Sequence, residues 1–354
     1  MNLSEKQFFI GDESFSSGEI LSLASESRNN RHLADWKQAF FQFIHEWFNS
    51  DDYVKVQTSG STGEPKVIHL SKETMKKNAL RTIQYFSLNR NDTLLLNLSC
   101  RYIAGKMMVV RALTGQMKLE IVDPSTGFSF LKDKTFQLGA MVPLQLSNLL
   151  AQPDGRQKVE NIRHLLVGGS AVPYPLEQQI RQLQNNVVST YGMTETASHI
   201  AIRTLSGNRA SDLYHLLPGI RVEKDDRGCL VIHPDDGENE TLVTNDVVGF
   251  ISPESFRVLG RADFVIISGG LKFYPEQLEA RLQPYIPVPV MISAVPDEKL
   301  GQKMILYLEA KKSELLKQTA SEAIKQQLIK YERPREIRFL EEFSRTENGK
   351  LQRK

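Results

Sequence analysis

Between residues 31 and 50 the chain reads RHLADWKQAFFQFIHEWFNS. Leu33, Trp36, Phe40, Phe43, Ile44 and Trp47 recur there at helical spacing, which predicts an amphipathic helix laid on a core. A short strand, YVKVQTS, follows, then a loop of small residues. After the loop SKETMKKNALRTIQYFSL opens on a serine of the kind that caps a helix and continues as one. Short apolar runs come next: TLLLNLS (93–99), KLEIVD (118–123), LGAMVP (138–143), HLLVGG (164–169) and VVSTYG (187–192). Helical stretches such as VPLQLSNLLAQ and PLEQQIRQLQ alternate with them, so the pattern predicts βα units and largely parallel sheets.

From about residue 220 the strands shorten and turn signals multiply, in IRVEKDDRGCLVIHP, TLVTNDVVGFI and SFRVLGRAD. Beyond Asp263 lies a compact tail with a helix at PEQLEARLQPY, strands at PVMISAVP and KMILYLEA, and a helix at SEAIKQQLIKYE. The expected architecture is α/β. A large N-terminal domain of βα-layered sheets covers 1–261, and a small mobile α+β domain covers 262–354. The last segment, FSRTENGKLQRK, is polar and expected to be mobile.

Composition narrows the function. A chain of 354 residues can bury a sizeable core in more than one domain. Its formal charge of +2 offers no bulk attraction to nucleic acid or an anionic membrane, so any anion must be held by a local cluster. Cys100 and Cys229 are the only cysteines, which points to a reducing compartment without a disulfide framework. The start, MNLSEKQFFIGDESF, lacks the apolar core and basic flank of a signal peptide. No apolar run approaches the roughly 18 residues of a membrane span. The expectation is a cytoplasmic protein with no membrane insertion.

The stretch QTSGSTGEPKV (57–67) concentrates donors. Lys66 follows Pro65 and precedes Val67, so the Gly-Lys-Ser/Thr spacing of a Walker loop is absent, as is a GxGxxG fingerprint. What remains is a loop of amides and hydroxyls with one cation at its end. It reads either as a solvated linker or as a cover closing over a polyphosphate.

TSGSTGEPK resembles the signature loop of the adenylate-forming enzymes, among them acyl- and aryl-CoA synthetases, and further motifs of that family follow in order. The resemblance implies that Thr58, Ser59, Gly60, Ser61, Thr62, Gly63 and Lys66 close over the ATP phosphates. STYGMTETA (189–197) matches the second signature, with Thr190, Tyr191 and Gly192 at the nucleotide. There Tyr191 lies against adenine, Thr194 donates to the α-phosphate and Glu195 binds Mg²⁺, a cation suited to a carboxylate plus phosphate oxygens. In VGGSAVP (167–173), Gly168 and Gly169 allow close approach beside the adenine and acyl group, and Ser170 faces the nucleotide. VTND (243–246) stands where the family has TGD: Asp246 keeps the carboxylate for the ribose hydroxyls, and Asn245 departs from the usual glycine.

GRADFVIISGGLKFYPEQLE (260–279) resembles the hinge motif. It implies Arg261 at the ribose and phosphates, Asp263 as the hinge, and Gly269 and Gly270 along the pantetheine tunnel of coenzyme A. FSRTENGKLQRK resembles the last motif, with Lys350 as the catalytic lysine, although Phe343 stands where a proline is usual. In SCRYIAGKMM (99–108) the gate beside the substrate carboxylate falls on Tyr102, with Gly105 matching the family glycine.

The implied reaction has two halves: a carboxylate attacks the α-phosphate of ATP, then coenzyme A takes the acyl group and AMP leaves. TYGMTETASHIA is especially similar to the o-succinylbenzoate–CoA ligases of menaquinone biosynthesis. An acid with two carboxylates needs an extra cation or donor set, for which Arg101, Lys106, Ser198 and His199 are the candidates. Another aryl- or acyl-CoA synthetase, an adenylation module loading a carrier protein, and a non-catalytic adenylate sensor are the alternatives. The sensor is disfavoured because Glu195, Asp246, Arg261 and Lys350 are all retained. The signature loop begins at Thr58, earlier than is typical. The resemblance thus covers about residues 54–354 and implies a trimmed first subdomain, with a homo-oligomer one way to replace the missing surface. The expected partners are a small aromatic carboxylate, ATP and coenzyme A, with Mg²⁺ as cofactor.

Overall fold

The computed structural model describes residues 7–28, 30, 32–57, 67–124, 128, 131, 133–233, 241–345 and 351–353. Thr58, Ser59, Gly60, Ser61, Thr62, Gly63, Lys66 and Lys350 lie outside the described residues. The chain divides into two compact units, Met1–Pro218 and Gly219–Lys354. The boundary expected between 261 and 262 falls within the second unit.

The first unit runs β1 (Gln7–Ile10), β2 (Glu13–Ser16), α1 (Ser17–Ser27), α2 (Asp35–Phe48), β3 (Tyr53–Gln57), β4 (Val67–Ser71), α3 (Lys72–Tyr85), β5 (Thr93–Leu96), α4 (Ile103–Gly115), β6 (Lys118–Ile121), β7 (Phe136–Met141), α5 (Pro143–Leu150), α6 (Gly155–Glu160), β8 (Ile162–Val167), α7 (Tyr174–Arg181), β9 (Asn186–Gly192), β10 (His199–Thr204) and β11 (Tyr214–Leu216). Its large sheet has the order β11-β10-β9-β8-β7-β5-β6-β1-β2. From β9 to β1 neighbouring strands are parallel, while β10, β11 and β2 are antiparallel.

The five apolar runs fall on β5 to β9, as their alternation with helices predicted. Leu95, Phe136, Ile162, Leu165 and Val187 of these strands meet Leu146, Leu149, Val159, Leu176 and Ile180 from α5, α6 and α7 in one buried cluster. The helix expected at 31–50 is α2, which buries Phe40, Phe43, Ile44 and Trp47. The Ser71 hydroxyl accepts from the amides of Glu73 (3.2 Å) and Thr74 (3.4 Å) and so caps α3.

The second unit runs β12 (Arg221–Lys224), β13 (Cys229–His233), β14 (Leu242–Ser252), β15 (Ser255–Arg261), β16 (Ile266–Ser268), β17 (Leu271–Phe273), α8 (Pro275–Leu282), β18 (Val290–Asp297), β19 (Gly301–Glu309), α9 (Glu314–Gln327) and β20 (Glu336–Leu340). Strands β12 to β15 form an antiparallel meander. Strands β18, β19 and β20 form a sheet whose Ile292, Leu306 and Leu308 pack on Leu278 and Leu282 of α8 and Ala320 and Ile324 of α9.

The described ends of the last segment are held, contrary to the expectation of a mobile tail. Phe343 is buried. Arg345 pairs with Leu351 in an antiparallel bridge, and the Gln352 amide donates to the Ser344 carbonyl at 2.8 Å. Two arginines explain the difference: Arg345 is seated on Glu309 and Arg353 on Glu279. A carboxylate that meets a guanidinium at two points offsets much of the cost of taking it from water.

Candidate functional site

Strands β8 and β9 are parallel neighbours, pairing from His164↔Asn186 to Val167↔Ser189. The segments at their carboxyl ends therefore lie side by side, the place where parallel sheets present their ligand sites. One segment carries Gly168, Gly169 and Ser170, and the other carries Thr190 to Glu195. A Cβ on Gly168 would stand 2.3 Å from Thr190 Oγ1, so glycine is what lets the Thr190 hydroxyl donate to the Val167 carbonyl at 3.3 Å. A Cβ on Gly192 would meet the Ser198 carbonyl at 2.5 Å and His199 Cα at 2.6 Å. Only glycine admits that return of the chain.

The turn carrying Thr194 and Glu195 is tightly made. Ala197 donates to the Thr194 carbonyl at 2.9 Å and takes a left-handed φ of 59°. The Met193 amide donates to Thr196 Oγ1 at 3.0 Å, and Asn78 on α3 donates from Nδ2 to the Thr196 carbonyl at 2.8 Å. Thr194 and Glu195 are half-buried. Among the described residues no group of three or more His, Cys, Asp or Glu is placed to hold a metal ion. One carboxylate on such a turn still fits Mg²⁺, which takes water and phosphate oxygens as its other ligands.

The candidates for the acyl pocket separate. Lys106 is buried, but its Nζ donates to Glu46 Oε2 and to the Lys55 carbonyl, each at 3.1 Å, and lies 5.0 Å from the Phe43 ring centre. Arg101 reaches Asp35 at 3.2 Å on the surface. Tyr102 is exposed at the N-cap of α4. Gly105 lets that helix start against the Ser99 carbonyl, which a Cβ would approach to 2.4 Å. His199 is buried, with Nδ1 3.3 Å from Ser198 Oγ and Nε2 3.5 Å from Thr82 Oγ1. Burial first, then the charges of Arg111 and Arg81, hold its pKa well below the ordinary value, so the ring is neutral.

The cation that does meet Ser198 and His199 is Arg111, which the motifs did not single out. Its Nη2 donates to Ser198 Oγ at 2.7 Å. It is 3% exposed, and burial pushes its pKa down to about 10, still charged at neutral pH. Its Nε has no hydrogen-bond partner, and no carboxylate pairs with it among the described residues. Helix α4 buries every residue from Gly105 to Ala112, so an arginine inside IAGKMMVVRALTG was the available signal. Asn78 and Thr82, polar residues four apart on the buried face of α3, were another.

In the second unit Asp246 and Arg261 are register partners on β14 and β15. Arg261 Nη1 is 3.7 Å from Asp246 Oδ1, and Nη2 is 2.8 Å from Asp263 Oδ2. Burial opposes the Arg261 charge, but the bond to Asp263 and the charges of Asp246, Asp263 and Glu276 outweigh it and raise the pKa. Asn245, the departure from the family glycine, donates to Asp263 Oδ1 at 3.2 Å and accepts from Arg227 Nη1 at 3.2 Å. Gly269 and Gly270 join β16 to β17 with φ of 58° and 81°, a two-residue hairpin turn that requires positive φ at both positions.

A family model described as AMP-binding enzyme matches residues 11–238, and one described as AMP-binding enzyme C-terminal domain matches 289–350. A 2–succinylbenzoate–CoA ligase of Geobacillus sp. (strain WCH70) is 27% identical, the match covering 88% of this chain and 70% of that protein. An acyl-CoA synthetase (AMP-forming)/AMP-acid ligase II-like protein from Dyadobacter fermentans DSM 18053 is 34% identical in sequence. Its solved structure superposes with a TM-score of 0.63 over 93% of this chain and 95% of that one. The o-succinylbenzoate coenzyme A synthetase of Bacillus subtilis, solved with ATP and magnesium ion, superposes with a TM-score of 0.67 at 23% identity, covering 84% of this chain and 68% of that one.

Proposed function

We propose that this chain, which belongs to the AMP-binding enzyme family and is an adenylate-forming CoA ligase, acts on 2-succinylbenzoate and makes its coenzyme A thioester in menaquinone biosynthesis. The observation that carries the choice of acid is Arg111. A buried guanidinium without a carboxylate partner among the described residues is costly in the empty protein and is offset by an anion. The second carboxylate of 2-succinylbenzoate is such an anion. Ser198 beside it supplies a further donor, and the neutral His199 ring closes the wall without adding charge. The names of relatives such as the Geobacillus ligase support the same acid.

In the first half-reaction a substrate carboxylate oxygen attacks the α-phosphorus of ATP and pyrophosphate leaves. Thr194 donates to the α-phosphate, Tyr191 lies against adenine, Thr190, Gly192, Gly169 and Ser170 line the nucleotide, and Asp246 and Arg261 take the ribose side. The loop Thr58–Lys66 covers the outer phosphates. Glu195 holds Mg²⁺, which when bound offsets phosphate charge. Lys350 stabilises the charge that builds as the new bond forms. In the second half a thiol takes the acyl group and AMP leaves. Asp263 is the hinge between a domain of 1–261 and one of 262–354, and Gly269–Gly270 border the coenzyme A arm. No described helix is long and apolar enough to cross a membrane.

The test is 2-succinylbenzoate-dependent exchange of pyrophosphate into ATP, with thioester formation, beside a Lys350→Ala control. Exchange with benzoate and none with 2-succinylbenzoate assigns a neutral-tailed acid. Acyl transfer to a carrier protein but not to free coenzyme A assigns a loading module. Exchange that survives Lys350→Ala removes the role given to that lysine.

A further inference from the structure

A line of side chains in the first unit ends on Tyr191. Glu177 on α7 receives Arg203 of β10 at two points, Nη1 to Oε1 at 3.2 Å and Nη2 to Oε2 at 2.9 Å, and both side chains are largely buried. The Arg203 guanidinium lies 5.8 Å from the centre of the Tyr214 ring on β11. The Tyr214 ring meets the Tyr191 ring of β9 at 5.6 Å between centres, with the planes at 61°. The Tyr214 hydroxyl is 3.0 Å from Ser189 Oγ, two residues before Tyr191 and so on the same face of β9.

The strand register sets this up. Arg203 pairs with Ser189, and the step after Ile202↔His215 brings Arg203 beside Tyr214. Ala201 pairs with Tyr191 on one side and Leu216 on the other. Its methyl group leaves room over β10 for the Tyr214 ring to reach Tyr191. An edge-to-face ring pair favours one mutual orientation, and a cation over the Tyr214 face favours its position in turn. A ring already fixed loses less freedom when a ligand stacks on it.

We infer that Tyr214, seated by Arg203 and Ser189, is a positioning residue that holds the Tyr191 ring in the plane in which it meets the adenine of ATP. This rests on the adenine place proposed for Tyr191. None of Glu177, Arg203 or Tyr214 lies in a motif that pointed to the nucleotide.

The test is calorimetric titration of the full chain with Mg·ATP, which needs no knowledge of the acid. Tyr214→Ala raises the Kd about three- to tenfold, the scale of one aromatic pair. Tyr214→Phe loses the bond to Ser189 but keeps the ring that touches Tyr191, so it recovers most of the affinity. In a Tyr191→Ala background Tyr214→Ala adds nothing, because its effect passes through that ring. Unchanged affinity in Tyr214→Ala beside weakened affinity in Tyr191→Ala overturns the inference and leaves the adenine site standing. The same loss from Tyr214→Ala with and without Tyr191 overturns it too. Unchanged affinity in Tyr191→Ala overturns the adenine place and the inference with it. Should Tyr214→Ala not fold, Tyr214→Leu keeps apolar bulk and carries the same comparison.

Discussion

Arg353 and Glu279 close a two-point ion pair across 74 residues of chain, Nη1 to Oε1 at 2.6 Å and Nη2 to Oε2 at 2.5 Å. Both side chains are about nine-tenths buried, and Arg353 also donates to the Ile292 carbonyl and lies over the Phe264 ring. Arg345 makes the matching pair with Glu309. One pin stands before residues 346–350 and the other after them.

Removing one member of such a pair leaves the other charge buried. Arg353→Gln is expected to destabilise the second unit by about 3 kcal/mol, read from urea unfolding. Arg338→Gln breaks the pair with Glu336, which is largely in solvent, and leaves the unfolding midpoint in place. Equal midpoints for the two variants would show that burial of the Arg353 pair carries no weight.

His199 gives the fold an acid limit. In the native protein its pKa lies well below the ordinary value, so the ring stays neutral where the unfolded ring, titrating near 6.5, takes up a proton. The unfolded state therefore binds more protons below about pH 6.5, and stability falls as pH falls; above that the residue contributes no slope. The stability margin of the protein over His199→Gln should narrow by about 1 kcal/mol between about pH 7 and about pH 5.5. Margins that stay parallel through that range would place the native pKa near its ordinary value.

The parallel strands were legible because each is a short apolar run bounded by turns, and the motifs sit at their ends. Helix α4 was not, since an element buried on all sides has no polar face to mark its period. The β1–β2 hairpin escaped because β2, ESFS, has a single apolar residue and so forms no apolar run. Within the site, Thr194, Glu195 and Gly168 were named by segments that resemble the family's motifs, whereas the partners of Lys106 and Arg111 lie 60 and 87 residues away. No local pattern says which of two cations on one helix will be neutralised by Glu46. That is settled by packing.

The two thiols should be silent in the native protein. Burial pushes Cys100 up to about 12 despite the nearby Lys106 charge, and burial raises Cys229 as well. A thiolate is the reactive form, so an aromatic disulfide reagent at mildly alkaline pH should titrate neither until denaturant is added. Labelling of either thiol at the rate of a free cysteine in native buffer would contradict this packing. Slow labelling would instead report local opening around β13 or the start of α4.

Arg111 and Lys106 make opposite predictions although they lie on one buried helix. Lys106 is matched by Glu46, so Lys106→Met should lower stability and leave the choice of acid alone. Arg111 has no carboxylate against it among the described residues. Arg111→Met should raise the thermal midpoint of the ligand-free protein, because a buried charge without a counter-charge is removed. The same change should raise KM for 2-succinylbenzoate about 10- to 100-fold, the worth of one charge-assisted hydrogen bond, and leave KM for ATP alone. Benzoate, with no second carboxylate, should lose far less. An Arg111→Met protein that is more stable yet selects against the dicarboxylic acid would place the cost of the buried charge in substrate recognition. Equal losses for both acids would place Arg111 in the scaffold.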